Sequence, residues 1–212
     1  MAPAGTHRLT VTPPGEARER ILRTAFRLFY AHGVRGAGVD TIIAESGVAK
    51  ATFYRHFPSK DDLAVAYLSR VDELWRGQLE AAAGTAGADP RARLVGMFDA
   101  LAEVCHQADY HGCAFINAAA ESAPGSAVHA RTVQHKATVR AWVRDTAERA
   151  GADSPDALAR ALTLLLDGAL AEGVLAAEPS AAQAAKDAAA ALVEIHCRGQ
   201  PPRFDQVVED LN

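Results

Sequence analysis

The sequence predicts an all-α protein of about nine helices, and three observations carry that expectation. Apolar residues fill 49% of the 212 positions but aromatics only 6%, and alanine is abundant, which favours packed helices over a sandwich or barrel. Apolar residues recur at three- and four-residue spacing along most of the chain. Glycines, prolines and Ser/Asp cap signals separate these stretches.

Residues 1–14 hold Pro3, Pro13 and Pro14 and are expected to form a disordered arm. The first helix runs from about 15 to 32, with Ile21, Ala25, Leu28 and Phe29 inside, Leu22 and Phe26 widening the stripe, and Arg18, Arg20, Arg23 and Arg27 mostly outside. Gly33 ends it. A second helix spans 39–46 around Ile42, Ile43 and Ser46, and Gly47 supplies a residue that accepts positive φ for a sharp turn. The third spans about 49–57. Phe53 and Phe57 share its inner face, while Lys50, Ala51, Tyr54 and Arg55 point elsewhere. Pro58 stops it, and Ser59-Lys60-Asp61-Asp62 reads as a capping box for the next helix.

That fourth helix, about 59–83, carries Leu63, Ala66, Tyr67, Val71, Leu74 and Trp75, and is long enough to pass from one domain into the next. Gly84 to Ala88 break the pattern. Asp89 as N-cap with Pro90 at the first helical position opens a helix to about 109, with Leu94, Phe98, Leu101 and Cys105 inside. A short helix covers 113–122. Ser126 caps another that ends near Ala150-Gly151, and Ser154-Pro155-Asp156 starts one to about 177. Ser180 with Gln183 makes a second capping box for a helix to about 197, and Gly199, Pro201 and Pro202 stop it. Residues 201–212 read as a loose tail. The expected domains are 15–60 and 61–200.

Charge is uneven. The net value is −4, yet residues 1–60 carry nine Lys/Arg against four Asp/Glu, and the remainder 13 against 22. The positive segment is the part suited to meeting phosphate. No run of about 18 apolar residues exists, so no membrane span is expected. The N-terminus lacks an apolar signal core, so a cytoplasmic location is expected. The three cysteines, Cys105, Cys113 and Cys197, form no CxxC and read as small buried residues of a reduced protein.

The run Gly47-Val48, then Ala49 to Phe57 (AKATFYRHF), then Ser59-Lys60-Asp61-Asp62-Leu63 resembles the helix-turn-helix of the tetracycline-repressor (TetR) family of transcriptional regulators. The resemblance implies an N-terminal three-helix DNA-binding domain and a C-terminal helical domain for ligand binding and dimerisation. It implies no catalytic role, and GxSxG, HExxH and P-loop motifs are absent. Double-stranded operator DNA, a small-molecule effector and a second copy of the chain are the expected partners.

The candidate DNA-binding residues are Thr41, Lys50, Ala51, Thr52, Tyr54, Arg55, His56 and Lys60. Lys50 and Lys60 suit phosphate, at helix starts whose amides attract the same anions. Ala51, Thr52 and Arg55 suit base edges, with Arg55 able to bind guanine through two hydrogen bonds. In relatives the positions matching Tyr54, His56 and Lys60 bind phosphate; His56 reads equally as a helix-end residue packed on the first helix. Where relatives carry a threonine, this chain has Val39, which removes a hydroxyl contact that Thr41 does not obviously replace. Arg8 in the arm is a candidate for the minor groove.

For dimerisation, Leu158, Ala161, Leu162, Leu165, Ala169 and Ala176, with Ala181, Ala185, Ala188, Leu192 and Ile195 on the last helix, recur at helical spacing. They suit either a four-helix interface, as in relatives, or the chain's own core. The candidate effector residues are Phe98, Leu101, Cys105, Cys113, Asn117, Glu121, His135 and Asp167. Asn117 and Glu121 lie four apart, and with His135 they would suit a divalent metal or a polar ligand group. The segment GCAFINAAAE, the pair His135-Lys136 and LLLDGA resemble a subgroup whose pocket can hold a metal ion. A hydrogen-bonded network is the alternative. Two other functions fit parts of the sequence: a redox-sensing regulator using Cys105 or Cys113, and a helical enzyme with Glu121 and His135 as acid and base.

Overall fold

Helices account for the regular structure of all the described residues. The computed structural model describes residues 14–105, 107, 109–176 and 180–198; the arm over 1–13 and the tail over 201–212 lie outside them. The elements are α1 (Pro14–Gly36), α2 (Val39–Ser46), α3 (Lys50–His56), α4 (Lys60–Thr85), α5 (Pro90–Gly96), α6 (Asp99–Cys105), α7 (Ala114–Glu121), α8 (Ala127–Arg149), α9 (Pro155–Ala176) and α10 (Ser180–His196). No helix among them is long and apolar enough to cross a membrane.

The chain divides into two compact units, residues 1–67 and 68–212. In the first, α1 packs on α2 and α3. Ile21, Ala25, Leu28 and Phe29 are buried, as their spacing predicts. Tyr67, from the first turns of α4, meets Phe26 and Phe29 edge-on at 5.4 and 5.5 Å. Gly33 breaks α1 at φ 75 and ψ 163, but a further helical turn follows before Gly36.

In the second unit α9 packs on α8 and α10, and α5 packs on α8 and α10. The core gathers Leu79, Leu94, Met97, Phe98, Leu101, Val143, Leu158 and Leu162. The single helix expected over 90–109 is instead two, α5 and α6. Met97, Phe98, Ala100 and Leu101 are all buried while Asp99 is exposed, a pattern that fits one face of about 160° on a straight helix, so the apolar spacing does not encode the break. The chain tightens there into i→i−3 bonds, Phe98 N–H to Val95 O and Leu101 N–H to Phe98 O, which separate α5 from α6. Caps match the sequence signals: Asp89 accepts from Arg91 N–H at 3.1 Å and Ser126 from His129 N–H at 3.2 Å.

Candidate functional site

Helix α3 is only seven residues long, so packing rather than propensity holds it. Phe53 is fully buried and Phe57 nearly so, each burial contributing roughly 1.5–3 kcal/mol. With that face turned inward, Lys50, Ala51, Tyr54 and Arg55 are exposed and Thr52 is half-buried. Tyr54 keeps 42% of its surface in solvent while its ring meets Phe53 edge-on at 5.2 Å, which aims it. Between α2 and α3, Gly47 takes φ 64, and its N–H bonds the carbonyls of Ile43 and Ala44.

Three arginines of α1 reach this motif. Arg20 donates to the carbonyls of Ser46 and Gly47 at 2.5 and 3.0 Å. Arg27 pairs with Glu45, and the Arg18 guanidinium lies 5.2 Å from the centre of the Phe57 ring. Lys50 approaches Asp40 at 3.4 Å, both largely exposed, a weak and salt-screened contact. Lys60 donates to Arg35 O at 3.2 Å. Ser59 and Asp62 form the reciprocal capping box, Asp62 N–H to Ser59 Oγ at 3.1 Å and Ser59 N–H to Asp62 Oδ2 at 3.0 Å.

In the second unit a buried ion cluster joins α4 to α8. Asp72 accepts from Arg131 Nη2 at 2.8 Å and from His135 Nδ1 at 2.6 Å, with Arg76 Nε 3.3 Å away. Arg131 also donates to Ser69 Oγ at 3.1 Å. His135 is 2% exposed and stacks on Phe115 of α7, with centroids 3.5 Å apart and planes within 4°. Burial alone would raise the Asp72 carboxyl, but hydrogen bonds from His135 and Arg131 outweigh it and hold the pKa below the usual value. For His135 burial dominates and pushes the pKa down, the Asp72 hydrogen bond opposing it only in part. A neutral ring beside that carboxylate carries its proton on Nδ1. Next along α8, Lys136 pairs with Asp167 of α9 and comes within 3.9 Å of Cys113 Sγ.

The family model for "Bacterial regulatory proteins, tetR family" matches residues 21–67, which take in α2, α3 and the turn between them. SCO4454 of Streptomyces coelicolor, a TetR-family transcriptional regulator, superposes with a TM-score of 0.80 at 33% identity, over 87% of this chain and 97% of that one. The chain belongs to the TetR family of transcriptional regulators. A second TetR-family structure, the putative regulator sav143 of Streptomyces avermitilis, matches at 32% identity and a TM-score of 0.71, over 84% of this chain and 98% of that one. The regulator LmrA of Bacillus subtilis is 41% identical over 66 residues, 31% of this chain, and the match spans only 35% of LmrA. Sequence likeness to curated relatives such as LmrA is therefore concentrated in the TetR head, while the SCO4454 and sav143 folds extend it along the chain.

Several expected residues stand differently from their prediction. Asn117, Glu121 and His135 do not converge. Phe115, the residue that stacks on His135, lies about 200° round α7 from Asn117 and about 240° from Glu121 at 100° per residue. Asn117 is exposed and donates to His111 O at 2.8 Å, while His135 turns to Asp72. Among the described residues no group of three or more His, Cys, Asp or Glu is placed to hold a metal ion. Phe98 and Leu101 are closed within the apolar core. Cys105 is half-buried, and burial pushes its thiol up despite a hydrogen bond with Tyr110, the opposite of what a reactive thiolate needs. Of the expected dimer stripe, Leu158, Leu162, Ala169 and Ala185 face their own core. His56 Nε2 is buried without a hydrogen-bond partner, which suits the packing alternative for that nitrogen. Thr41 is exposed at the start of α2, whose N-cap Gly38 offers no side-chain cap.

Sequence reasoning missed Asp72 and Arg131. The signal was present: Asp72 stands at helical spacing on the stripe of Leu68, Trp75 and Leu79, and a charge at a core position implies a partner.

Proposed function

We propose that this TetR-family chain binds a palindromic DNA operator as a homodimer, represses transcription there, and is released by a small-molecule effector. The observation that carries the reading is the division of α3: Phe53 fully buried beneath an exposed face of Lys50, Ala51, Tyr54 and Arg55. A helix so divided presents its outer side chains to a major groove. Arg55 and Ala51 read base edges, with Thr52 at the margin, while Tyr54, Lys50 and Lys60 engage phosphate. Thr41 and the α2 amides are a further phosphate contact.

Dimer formation is supported by exposed apolar residues on adjacent helices. Leu164, Gly168, Ala171 and Leu175 follow one face of α9, and Ala184, Ala191 and Ile195, with partly exposed Ala188, follow one face of α10. Isolated apolar residues are ordinary on a surface, but stripes on two packed helices suit a partner. For the effector, the cavities beside α4 and α8 are small. One of about 70 Å³ is lined by Arg76, Leu79, Glu80, Thr138, Val139 and Trp142. Another of about 20 Å³ lies by Trp75, Lys136 and Asp167. Pockets for drug-sized ligands run from roughly 300 Å³, so an effector taken into either of these two cavities would part the helices that line it; Phe98, Leu101, Cys105, Cys113 and Asp167 are the candidate contacts. Ligand and DNA would then favour different conformations.

Duplexes selected by the protein from a random-sequence pool, followed by light scattering of the complex, test the reading. The expected result is a palindromic site carrying two chains, or an even multiple, and released by at least one compound of a metabolite and drug panel. Binding by a lone chain to a single half-site would overturn the dimer, and failure of every compound to release DNA would overturn ligand control.

A further inference from the structure

The arginines of α1 belong to the positive segment suited to phosphate, yet three of them are engaged inside the head. Arg20 is the most tightly held. Its Nη2 donates to both Ser46 O and Gly47 O, the carbonyls where α2 ends and the turn begins. These carbonyls lie at the negative end of the α2 dipole and lack helical partners. A Cβ on Gly47 would fall 2.7 Å from the same Nη2, so a side chain there would displace the end of Arg20, while φ 64 is what favours glycine at the position. Arg27, seven residues and two turns further along α1, grips Glu45, and Arg18 covers the Phe57 ring at the far end of α3.

Helices of eight and seven residues have little stability of their own. Their mutual angle is therefore set by what holds the turn, and Arg20 supplies two hydrogen bonds from α1 to it. We propose that Arg20 is a positioning residue for sequence readout: it clamps the Ser46-Gly47 turn and thereby fixes the angle at which α3 presents Ala51 and Arg55 to base edges. It acts through the backbone of the motif and does not itself meet DNA. The inference rests on the operator-binding reading.

The test uses the full-length protein, a duplex selected by the wild type and an unrelated duplex of equal length, with affinities measured across a salt series. Arg20→Met is expected to lose about tenfold in affinity for the selected duplex, the equivalent of one spoiled base contact. Affinity for the unrelated duplex stays within about twofold and the salt slope is unchanged, because no phosphate contact is lost. Arg20→Lys, which keeps charge and donors, recovers part of the loss. If both affinities fall together and the slope drops by about one, Arg20 is a phosphate contact and the proposal is wrong. If Arg20→Met only lowers the melting temperature and binds both duplexes normally, Arg20 is a stabilising cap and the proposal is again wrong. Should Arg20→Met not fold, Arg20→Lys carries the same comparison: a loss confined to the selected duplex supports the clamp, and unchanged selectivity overturns it. A wild type that selects no duplex would end the operator reading itself.

Discussion

Replacing Asp72 by asparagine removes the one carboxylate between two guanidinium groups and a buried imidazole. The shape is preserved, but the new amide can accept from Arg131 or from His135 and not from both, since its nitrogen is a donor. Arg131 then keeps a charge in a place where its side chain is only 12% exposed, with Asp72 itself 11% exposed. Breaking a buried pair by removing one partner costs about 3–5 kcal/mol. Arg76 is 39% exposed and can turn to water, which points to the lower end, about 3 kcal/mol. For a unit of this size that is a fall in Tm of roughly 6–12 °C. Thermal melting followed by circular dichroism measures it. Arg131→Met in the same background supplies the second arm: once the stranded charge is gone, the double variant should recover about 2 kcal/mol relative to the sum of the single changes. A melting temperature for Asp72→Asn within 2 °C of wild type, or strict additivity, would show that the cluster contributes nothing net.

The same cluster sets a pH dependence. His135 has its pKa lowered by burial, so below about 6.5 the unfolded chain takes up a proton that the folded chain refuses, and stability falls as pH falls. Asp72, also lowered, adds a second loss as pH drops below 3.8 toward its folded value. Wild type should therefore lose stability between pH 7 and 5 more steeply than His135→Phe, and equal slopes by urea denaturation would refute the assignment. Lys60→Ala should lower the slope of log affinity against log salt by about one in filter binding; an unchanged slope would leave Lys60 as no more than a clasp on Arg35. Gly47→Ala should cost about 1–2 kcal/mol in chemical denaturation, from a positive φ and a crowded Arg20 Nη2, with full stability contradicting the turn geometry. Addition of a chelator should leave the melting temperature unchanged, because the residues expected to hold a metal are apart; a fall would restore the metal.

The head was readable because its signals are local. Gly47, the Phe53 and Phe57 pair and the Ser59 to Asp62 box each act within a few residues, so spacing alone reveals them. The second unit was readable in its elements and poorly readable in its site. Leu158, Leu162 and Ala185 carry the same small-apolar spacing whether they meet their own core or another chain, and only packing chooses between them. The split of one expected helix into α5 and α6 is likewise a matter of backbone geometry, where i→i−3 bonds form at Val95 to Leu101 although the apolar spacing fits a continuous helix.

By itself the sequence determined the helical class, the caps, the turn at Gly47 and the face of α3 that is left exposed, since each depends on contacts a few residues apart. Tertiary structure alone decided which partner each charged residue takes. Asp72 finds His135 63 positions away, and Arg20 finds Gly47 27 positions away. No periodicity encodes such pairings, because they depend on how whole helices lie against one another. That is why the arginines of α1 looked like charges for phosphate until the fold showed them gripping Phe57, Glu45 and the turn at Gly47.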